Sequence, residues 1–591
     1  MHLNFASILF ILGCTISTCF SKIFETTDAL PLEYDFVVVG GGTAGNVIAN
    51  RLTENSAVSV LVLEAGGLNE NNLNLVVPSF CTRNLLPNSP VDWNYTTTPM
   101  PGLNNRSVAY PRGFVLGGSS SINFMLYTRG SSEDWDRYAA ITGDPGWSWE
   151  HLQSYIRKNE RFEQPVDHHN TTGQFDPKVH GFHGINTVSL TGFPWPINER
   201  VIQTTAEKPD QFPFNVDMNS GNELGIGYPQ WTIKDGARSS SATSYLAPKF
   251  LQRHNLQVLL NARVTRLLSR GKSFHGVEFT VRGSTFQVTA KKEVILSAGS
   301  INTPQILMLS GIGDSSKLFS LGIQPVHHLP AVGKNLSDHP VLPLSWLVNS
   351  TDTLDTAARN ATLLAEQLKQ WNDTRTGPLV DGVFTHIGWF RLPHNSSIFK
   401  EFSDPSAGPN SPHMELIPEN GNVRPPTPPT GNFLVLPAVV VSPLSRGEIT
   451  LNSSDLLGHP IINPNFLDSD FDLFAMKEAV KAARDFISAA AWNGYIISAT
   501  NNATTDAELE FFIRNSTAAI YHPVGTAAMS PKGASWGVVD PDLRVKGVEG
   551  IRVVDASIFP IIPAAHTQAP TYIVAERAAD LIKAAWEGQM Y

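Results

Sequence analysis

Two histidines near the end of the chain stand in segments that restrict the backbone: His522 in IYHPVGT and His566 in PAAHTQAP. An imidazole, with a pKa of about 6.5, is the side chain best suited to take up a proton near neutral pH. Set beside a hydride acceptor, such a base would remove the hydroxyl proton of an alcohol while the hydrogen on the adjacent carbon leaves as hydride. Taken alone, a histidine between an aromatic residue and a proline more often packs in a turn than does chemistry. What decides is whether the rest of the chain builds an acceptor site around them.

The first half of the chain offers one. In YDFVVVGGGTAGNVIANRLTENSAVSVLVLEAGG, Tyr34 to Val39 reads as a buried parallel strand and Gly40, Gly42 and Gly45 fit G-x-G-x-x-G. A helix is predicted from Thr43 to about Thr53, and a second strand, Val58 to Leu63, ends in Glu64. Gly40 permits the tight turn, Gly42 lets backbone approach a pyrophosphate, and Gly45 allows the helix to pack closely on the strand. Thr43 and Ala44 open the helix, whose free N–H groups and dipole face phosphate. Glu64 can accept hydrogen bonds from ribose hydroxyls. The motif alone leaves NAD and FAD open.

At 591 residues the chain predicts two or more domains, and its 42% hydrophobic and 16% charged residues are those of a globular protein. A net charge of −10 disfavours nucleic acid and anionic membranes as partners. The opening MHLNFASILFILGCTISTCFS has an apolar run from Phe5 to Ile16 followed by Cys19 and Ser21 at cleavage-site spacing, which predicts a signal peptide over 1–21 and secretion. Cys14 and Cys19 would leave with it, and Cys81 alone can form no internal disulfide. Eleven N-x-S/T sequons follow: Asn94, Asn105, Asn170, Asn335, Asn349, Asn360, Asn372, Asn395, Asn452, Asn502 and Asn515. With a signal peptide, so many predict a glycosylated extracellular protein, expected to act as a monomer. No metal-ligand spacing is present, and no G-x-S-x-G hydrolase elbow.

Two further stretches, YPRGFVLGGSSSINFM from Tyr110 and SAGSINTPQILMLSGIG from Ser297, resemble the two sequence patterns of the glucose–methanol–choline (GMC) oxidoreductases. The resemblance continues through NARVTRL, VGKNLSDHP, IYHPVGT and the terminal GIRVVDASIFPIIPAAHTQAPTYIVAERAADLI. It implies FAD as cofactor and an α/β fold: a Rossmann-type FAD-binding domain plus an α+β substrate-binding domain with an antiparallel sheet. The implied division is 32–342 for the FAD-binding region, 343–519 for the substrate region and 520–591 for a returning segment that completes the FAD domain. Strands at His386–Leu392, His413–Ile417, Phe433–Val441 and Gly447–Leu451 are expected to floor the substrate cavity. A helix is expected to open near Pro304, and another at Thr571 after Thr567–Pro570.

By the same resemblance His522 is the catalytic base and His566 the residue that bonds the substrate oxygen. Gly117, Ser119 and Asn123 in the GGSSSIN stretch, Val264, Asp555, Ala556, Thr567 and Gln568 are implied to contact the cofactor. Where some members carry a histidine that links the flavin, this chain has Ile122 and Asn123, which implies noncovalent FAD. Phe124 and Tyr521 fall where aromatic rings line the family's pocket, and Met414 and Glu415 are expected to reach the cavity. Similarity to fungal aryl-alcohol oxidases, in VDWNYTTT, DWDRYAAITGD and SPKGASWGVVDPDLRVKG, implies oxidation of aryl or allylic primary alcohols with O2 as acceptor and H2O2 as product. Pyranose dehydrogenases, similar in FPFNVDMNSG and ARSSSATSYL, imply the alternative of sugar oxidation with a quinone acceptor. Hydroxynitrile lyases of this fold supply an alternative of another class. The loop ENGNVRPPTPPTG lacks the aromatic residues that narrow the entrance in aryl-alcohol oxidases, and predicts a more open pocket.

Overall fold

The apolar run before the glycines forms the strand Glu33–Val39, whose last four residues are at most 2% exposed. It lies at the centre of an eight-stranded sheet, parallel to Val60–Leu63 on one side and to Ser284–Leu296 on the other. Beyond these the sheet adds Leu256–Leu259 and Ile23–Phe24 in parallel, and the antiparallel ribbon Arg263–Arg270 with Ser273–Val281. Ile551–Val553 pairs in parallel with the end of Ser284–Leu296, so the C-terminal segment returns to the same sheet. The architecture is the expected α/β one, seen in a computed structural model that describes residues 23–28 and 30–586. The predicted leader 1–21 lies outside the described residues.

Three helices aim their N-termini at one region. Helix α1, Thr43–Leu52, follows the glycine turn and is buried along nearly its whole length. Helix α2, Gly299–Leu309, begins five residues before the expected start at Pro304, which falls inside it. Proline has no N–H for the carbonyl one turn back, that of Ser300; the Thr526 hydroxyl donates to it instead, at 2.7 Å. Helix α3, Gln568–Trp586, likewise starts ahead of its expected Thr571. Pro570 sits in its first turn, where an N–H would have no intrahelical partner anyway. The buried pair Arg51–Glu576, 2.7 Å, ties α1 to α3.

The second sheet is antiparallel and runs Ile496–Ala499, Pro340–Val348, Phe433–Val440, Met414–Leu416, Ile387–Phe390, Gly225–Gly227, with Ala518–Ala519 paired to the start of Pro340–Val348. Gly225–Gly227 comes from the first half of the chain, and the border drawn at 342/343 falls inside a continuous strand. Glu448–Thr450 does not join this sheet but pairs with Ile461–Asn463. The helix expected over Thr356–Trp371 is two helices, Leu354–Arg359 and Ala361–Thr374, separated by Asn360, whose side chain caps the second.

Nine sequon asparagines are exposed; Asn335 and Asn515 are half-buried. Asn94 spends its amide nitrogen on two carbonyls, Ser89 and Asp92, and Asn335 spends its own on Pro560. An N-glycan removes one amide hydrogen, so Asn94, which uses both, would lose one of its two bonds on modification.

A buried charge cluster supports Thr128 and Arg129, which directly follow the short strand Leu126–Tyr127. Arg129 bonds Glu160 at 2.5 Å, and His180 bonds Glu160 at 2.8 Å and Asp217 at 2.7 Å. Burial opposes a charge on His180, but the two carboxylates outweigh it and hold the ring above its ordinary 6.5. Its stabilisation is therefore complete below pH 6.5 and is lost as pH rises through the higher folded value. Glu160 and Asp217 are held below their ordinary values despite burial, so their contribution is lost as pH falls through the lower folded values. Stability against thermal unfolding is expected to fall above pH 6.5 by up to about 1.4 kcal/mol per pH unit, the limit for one proton. His180→Gln should flatten that alkaline slope, and equal slopes in both chains would contradict the assignment.

Candidate active site

One cavity is lined both by the glycine turn and by the two histidines. Its wall includes Gly40, Gly42, Thr43, Ala44 and Glu64, with Ser119, Asn123, Val264, Asp555, Ala556, Thr567 and Gln568, and Phe124, Tyr521, His522 and His566. Each glycine of the turn has a distinct physical reason. Gly40 has a φ of +100°, the left-handed region that favours glycine. A Cβ on Gly45 would lie 1.9 Å from the Gly40 carbonyl oxygen, so α1 packs where no side chain fits. A Cβ on Gly42 would meet only the Gly118 Cα, at 3.8 Å, and would otherwise project into space that a ligand can take. Gly45 and Gly117 do not line the cavity. Gly117 stands behind it, donating its N–H to the Gly41 carbonyl at 2.7 Å, and shapes the wall rather than touching what lies inside.

The polar side chains along the cavity also hold its wall together. Glu64 accepts hydrogen bonds from the Gly41 and Gly66 N–H groups at 2.8 and 2.7 Å. Burial nevertheless pushes it up to about 7. Two lone-pair sites of a carboxylate remain for ribose hydroxyls. Asp555 accepts from the Gly299 N–H at 2.9 Å and the Thr303 hydroxyl at 2.6 Å, so it clamps the first turn of α2 to the returning C-terminal segment. Gln568 donates to the Thr232 hydroxyl at 3.0 Å and accepts from Asn123, whose oxygen takes an Arg238 hydrogen bond at 2.7 Å. FAD fits these residues: an acid at the end of a strand, the open face at Gly42, and helix N-termini facing the cavity match ribose, pyrophosphate and isoalloxazine in turn.

The imidazoles of His522 and His566 stand 4.7 Å apart, ring centre to ring centre, with planes at 82°. The backbone N–H of His522 donates to Asp338 at 2.8 Å, and its Nδ1 faces Nδ1 of His339 at 3.1 Å. That leaves Nε2 without a protein partner on a residue that lines the cavity. Burial, then the neighbouring His566, His339 and Arg112, holds the His522 ring well below 6.5, in its neutral, basic form. The backbone N–H of His566 donates to the Thr128 hydroxyl at 2.8 Å, next to the Arg129 cluster. Its Nε2 bonds Glu415 at 2.8 Å, which leaves Nδ1 free of protein partners. Glu415 is buried behind His566 and, like Met414, is not part of the cavity wall, so its expected reach is into the histidine rather than the pocket.

Tyr521 has a φ of +71°, rare for a bulky residue and costing about 1–2 kcal/mol. Arg112 compensates by donating to its carbonyl at 2.7 Å. The kink turns the chain immediately before His522. Phe124 stacks on Phe384, centroids 5.5 Å apart, and the Arg424 guanidinium lies 5.4 Å from the Phe124 ring and 5.8 Å from the Phe384 ring. Arg424 belongs to the Pro-rich loop, which thus supplies the pocket with a cation over an aromatic pair where an aromatic side chain was looked for. Phe384, Arg424, Asp338 and His339 received no role from the sequence. Asp338 and His339 stood in VGKNLSDHP, but nothing local to that segment points to residue 522.

Among the described residues no group of three or more His, Cys, Asp or Glu could hold a metal, and no helix is long and apolar enough to cross a membrane. The family model of GMC oxidoreductases matches residues 34–341 with its N-terminal part and 443–575 with its C-terminal part. The chain is 44% identical to "Dehydrogenase eriK" of Hericium erinaceus, over 96% of this chain and 97% of that one. It is 42% identical to pyranose dehydrogenase 3 of Leucoagaricus meleagris, over 95% and 94%. A solved structure of a fungal aryl-alcohol oxidase superposes with a TM-score of 0.81 at 27% identity, covering 94% of this chain and 100% of that one. The matched ranges take in the glycine turn, the returning C-terminal strand and both histidines, and the chain belongs to the FAD-dependent GMC oxidoreductases.

Proposed function

We propose that the protein is a secreted alcohol oxidoreductase that converts aryl or allylic primary alcohols to aldehydes. The observation that carries this is the pair of imidazoles, 4.7 Å apart, in the cavity that the nucleotide-binding turn also lines. Bound FAD supplies the hydride acceptor. The chain's own part is to manage the proton and the oxygen. His522 takes the hydroxyl proton at Nε2, the ring nitrogen without a protein partner, on a ring that burial keeps neutral. His566 is held at Nε2 by Glu415; with a proton on Nδ1 as well, it donates from Nδ1–H to the substrate oxygen as negative charge develops there. The Phe124–Phe384 stack and Tyr521 give a planar substrate an apolar surface to lie against.

The likeness to two dehydrogenases at 44% and 42% identity supports a quinone-type acceptor ahead of the O2 expected from the sequence. The same likeness favours a second reading, oxidation of a pyranose sugar. Anaerobic mixing with anisyl alcohol, an allylic alcohol and glucose, followed by flavin absorbance, separates the two. Bleaching by the first two supports the proposal, bleaching by glucose alone supports the sugar reading, and no bleaching by any alcohol returns the lyase alternative. Reoxidation of the bleached enzyme by benzoquinone and by O2 then ranks the acceptors.

FAD is held without a covalent bond in this reading, since Asn123 engages Gln568 and Arg238 and Ile122 offers no nucleophile. Acid precipitation is expected to leave the flavin in the supernatant; yellow colour in the pellet would contradict it. The protein works as a glycosylated, extracellular monomer. Culture-medium recovery, a mass shift on glycosidase treatment and the sedimentation mass test those three points.

A further inference from the structure

We propose that His339 is a positioning residue that fixes the tautomer of His522: its Nδ1 accepts a hydrogen bond from Nδ1–H of His522 and so keeps Nε2 of His522 bare for the substrate. The proposal rests on the reading of His522 as the base. The two Nδ1 atoms lie 3.1 Å apart with the rings at 86°, and at that distance one nitrogen carries the hydrogen and the other does not. If His339 carried it, the hydrogen of a neutral His522 would sit on Nε2, where it would face the substrate hydroxyl as a donor and take no proton.

His339 is 1% exposed and does not line the cavity, so it acts only through His522. Burial, then the charge of His566, holds it at about 3, so it carries one ring hydrogen. No protein atom lies within hydrogen-bonding geometry of His339 Nε2; the nearby Val441 carbonyl favours a hydrogen on the ring, and with that hydrogen on Nε2 the lone pair of Nδ1 faces His522. The pair is also held rigidly. The backbone N–H groups of His339 and His522 both donate to the same oxygen of Asp338, at 2.7 and 2.8 Å, while Tyr110 donates to the other oxygen at 2.5 Å. One carboxylate thus fixes the two backbones from which the facing rings extend.

The test uses the FAD-loaded enzyme and two variants. His339→Asn keeps an acceptor near the position of Nδ1; His339→Leu removes it. Flavin reduction by the alcohol that bleaches the wild type is expected to fall roughly 10–100-fold in His339→Leu, with substrate affinity unchanged, and to stay within a few-fold of wild type in His339→Asn. In parallel, nitrogen NMR of histidine-labelled enzyme, with the His522 signals assigned by their loss in His522→Ala, is expected to show the Nδ1–H tautomer in the wild type and a mixture in His339→Leu. Equal losses in the two variants, a wild-type rate in His339→Leu, or a wild-type His522 carrying its hydrogen on Nε2 would each overturn the proposal. If neither variant retains FAD, the wild-type tautomer decides alone. A His522→Ala enzyme that reduces at the wild-type rate would sink the assignment of the base, while the NMR result would still judge the His339 contact.

Discussion

His522→Ala is expected to lower the rate of flavin reduction roughly 10²–10⁴-fold while leaving the FAD content unchanged. The loss corresponds to about 3–5 kcal/mol of barrier, the usual worth of a placed general base. Cofactor binding should survive because the ring contacts His339 and His566 rather than Glu64 or the glycine turn. Alanine keeps the backbone N–H that donates to Asp338, so the local chain path is preserved. The pH dependence gives an independent reading. Because His522 is held well below 6.5, it stays unprotonated as pH falls through that value, and the reduction rate should remain on its plateau there. Stopped-flow reduction under anaerobic conditions measures both effects. A variant that reduces at near-normal rate would remove His522 from the role, and an acid limb centred near 6.5 would remove the neutral-base argument.

What could be read from the chain before its fold was known follows a physical divide. The glycine turn was legible because its demands are local: Gly45 meets the Gly40 carbonyl five residues away, and no other residue fits. The strands flanking it were legible because burial on both faces leaves an unbroken apolar run. The start of α2 was not, because the group that replaces Pro304's missing hydrogen bond is Thr526, 226 residues along the chain from the carbonyl it satisfies. The strand Pro340–Val348 was hidden by its prolines; Pro343 lies opposite Pro437, so both missing donors fall at one register position. At the site, the histidines were visible through a family resemblance, but their supports were not. Asp338 and His339 reach His522 across more than 180 residues, and Glu415 reaches His566 across 151. Motifs name the groups that meet the substrate. The groups that set their tautomer and orientation come from whichever strand the sheet order places behind them.

Substitution in the glycine turn should separate cofactor binding from folding, because its two innermost glycines face opposite ways. Gly45→Ala puts a methyl 1.9 Å from a backbone oxygen and 3.2 Å from the Ser297 Cβ, so α1 must move off the central strands. Overpacking of this kind costs about 1–3 kcal/mol, and here the obstacle is main chain that cannot rotate away. The displaced helix takes its N–H groups with it, so the protein is expected to emerge with little or no FAD and a lowered unfolding temperature even as apoprotein. Gly42→Ala meets nothing closer than 3.8 Å and has an ordinary φ of −88°, so its apoprotein should unfold near the wild-type apoprotein. Its methyl projects into the cavity where the pyrophosphate is expected, so it should lose cofactor affinity and with it only the stabilisation that ligand binding adds. Flavin absorbance per chain and thermal unfolding with and without added FAD measure both quantities. A Gly42→Ala apoprotein as unstable as Gly45→Ala would show that the open face is structural, and a fully loaded Gly45→Ala protein would show that α1 has room the geometry denies.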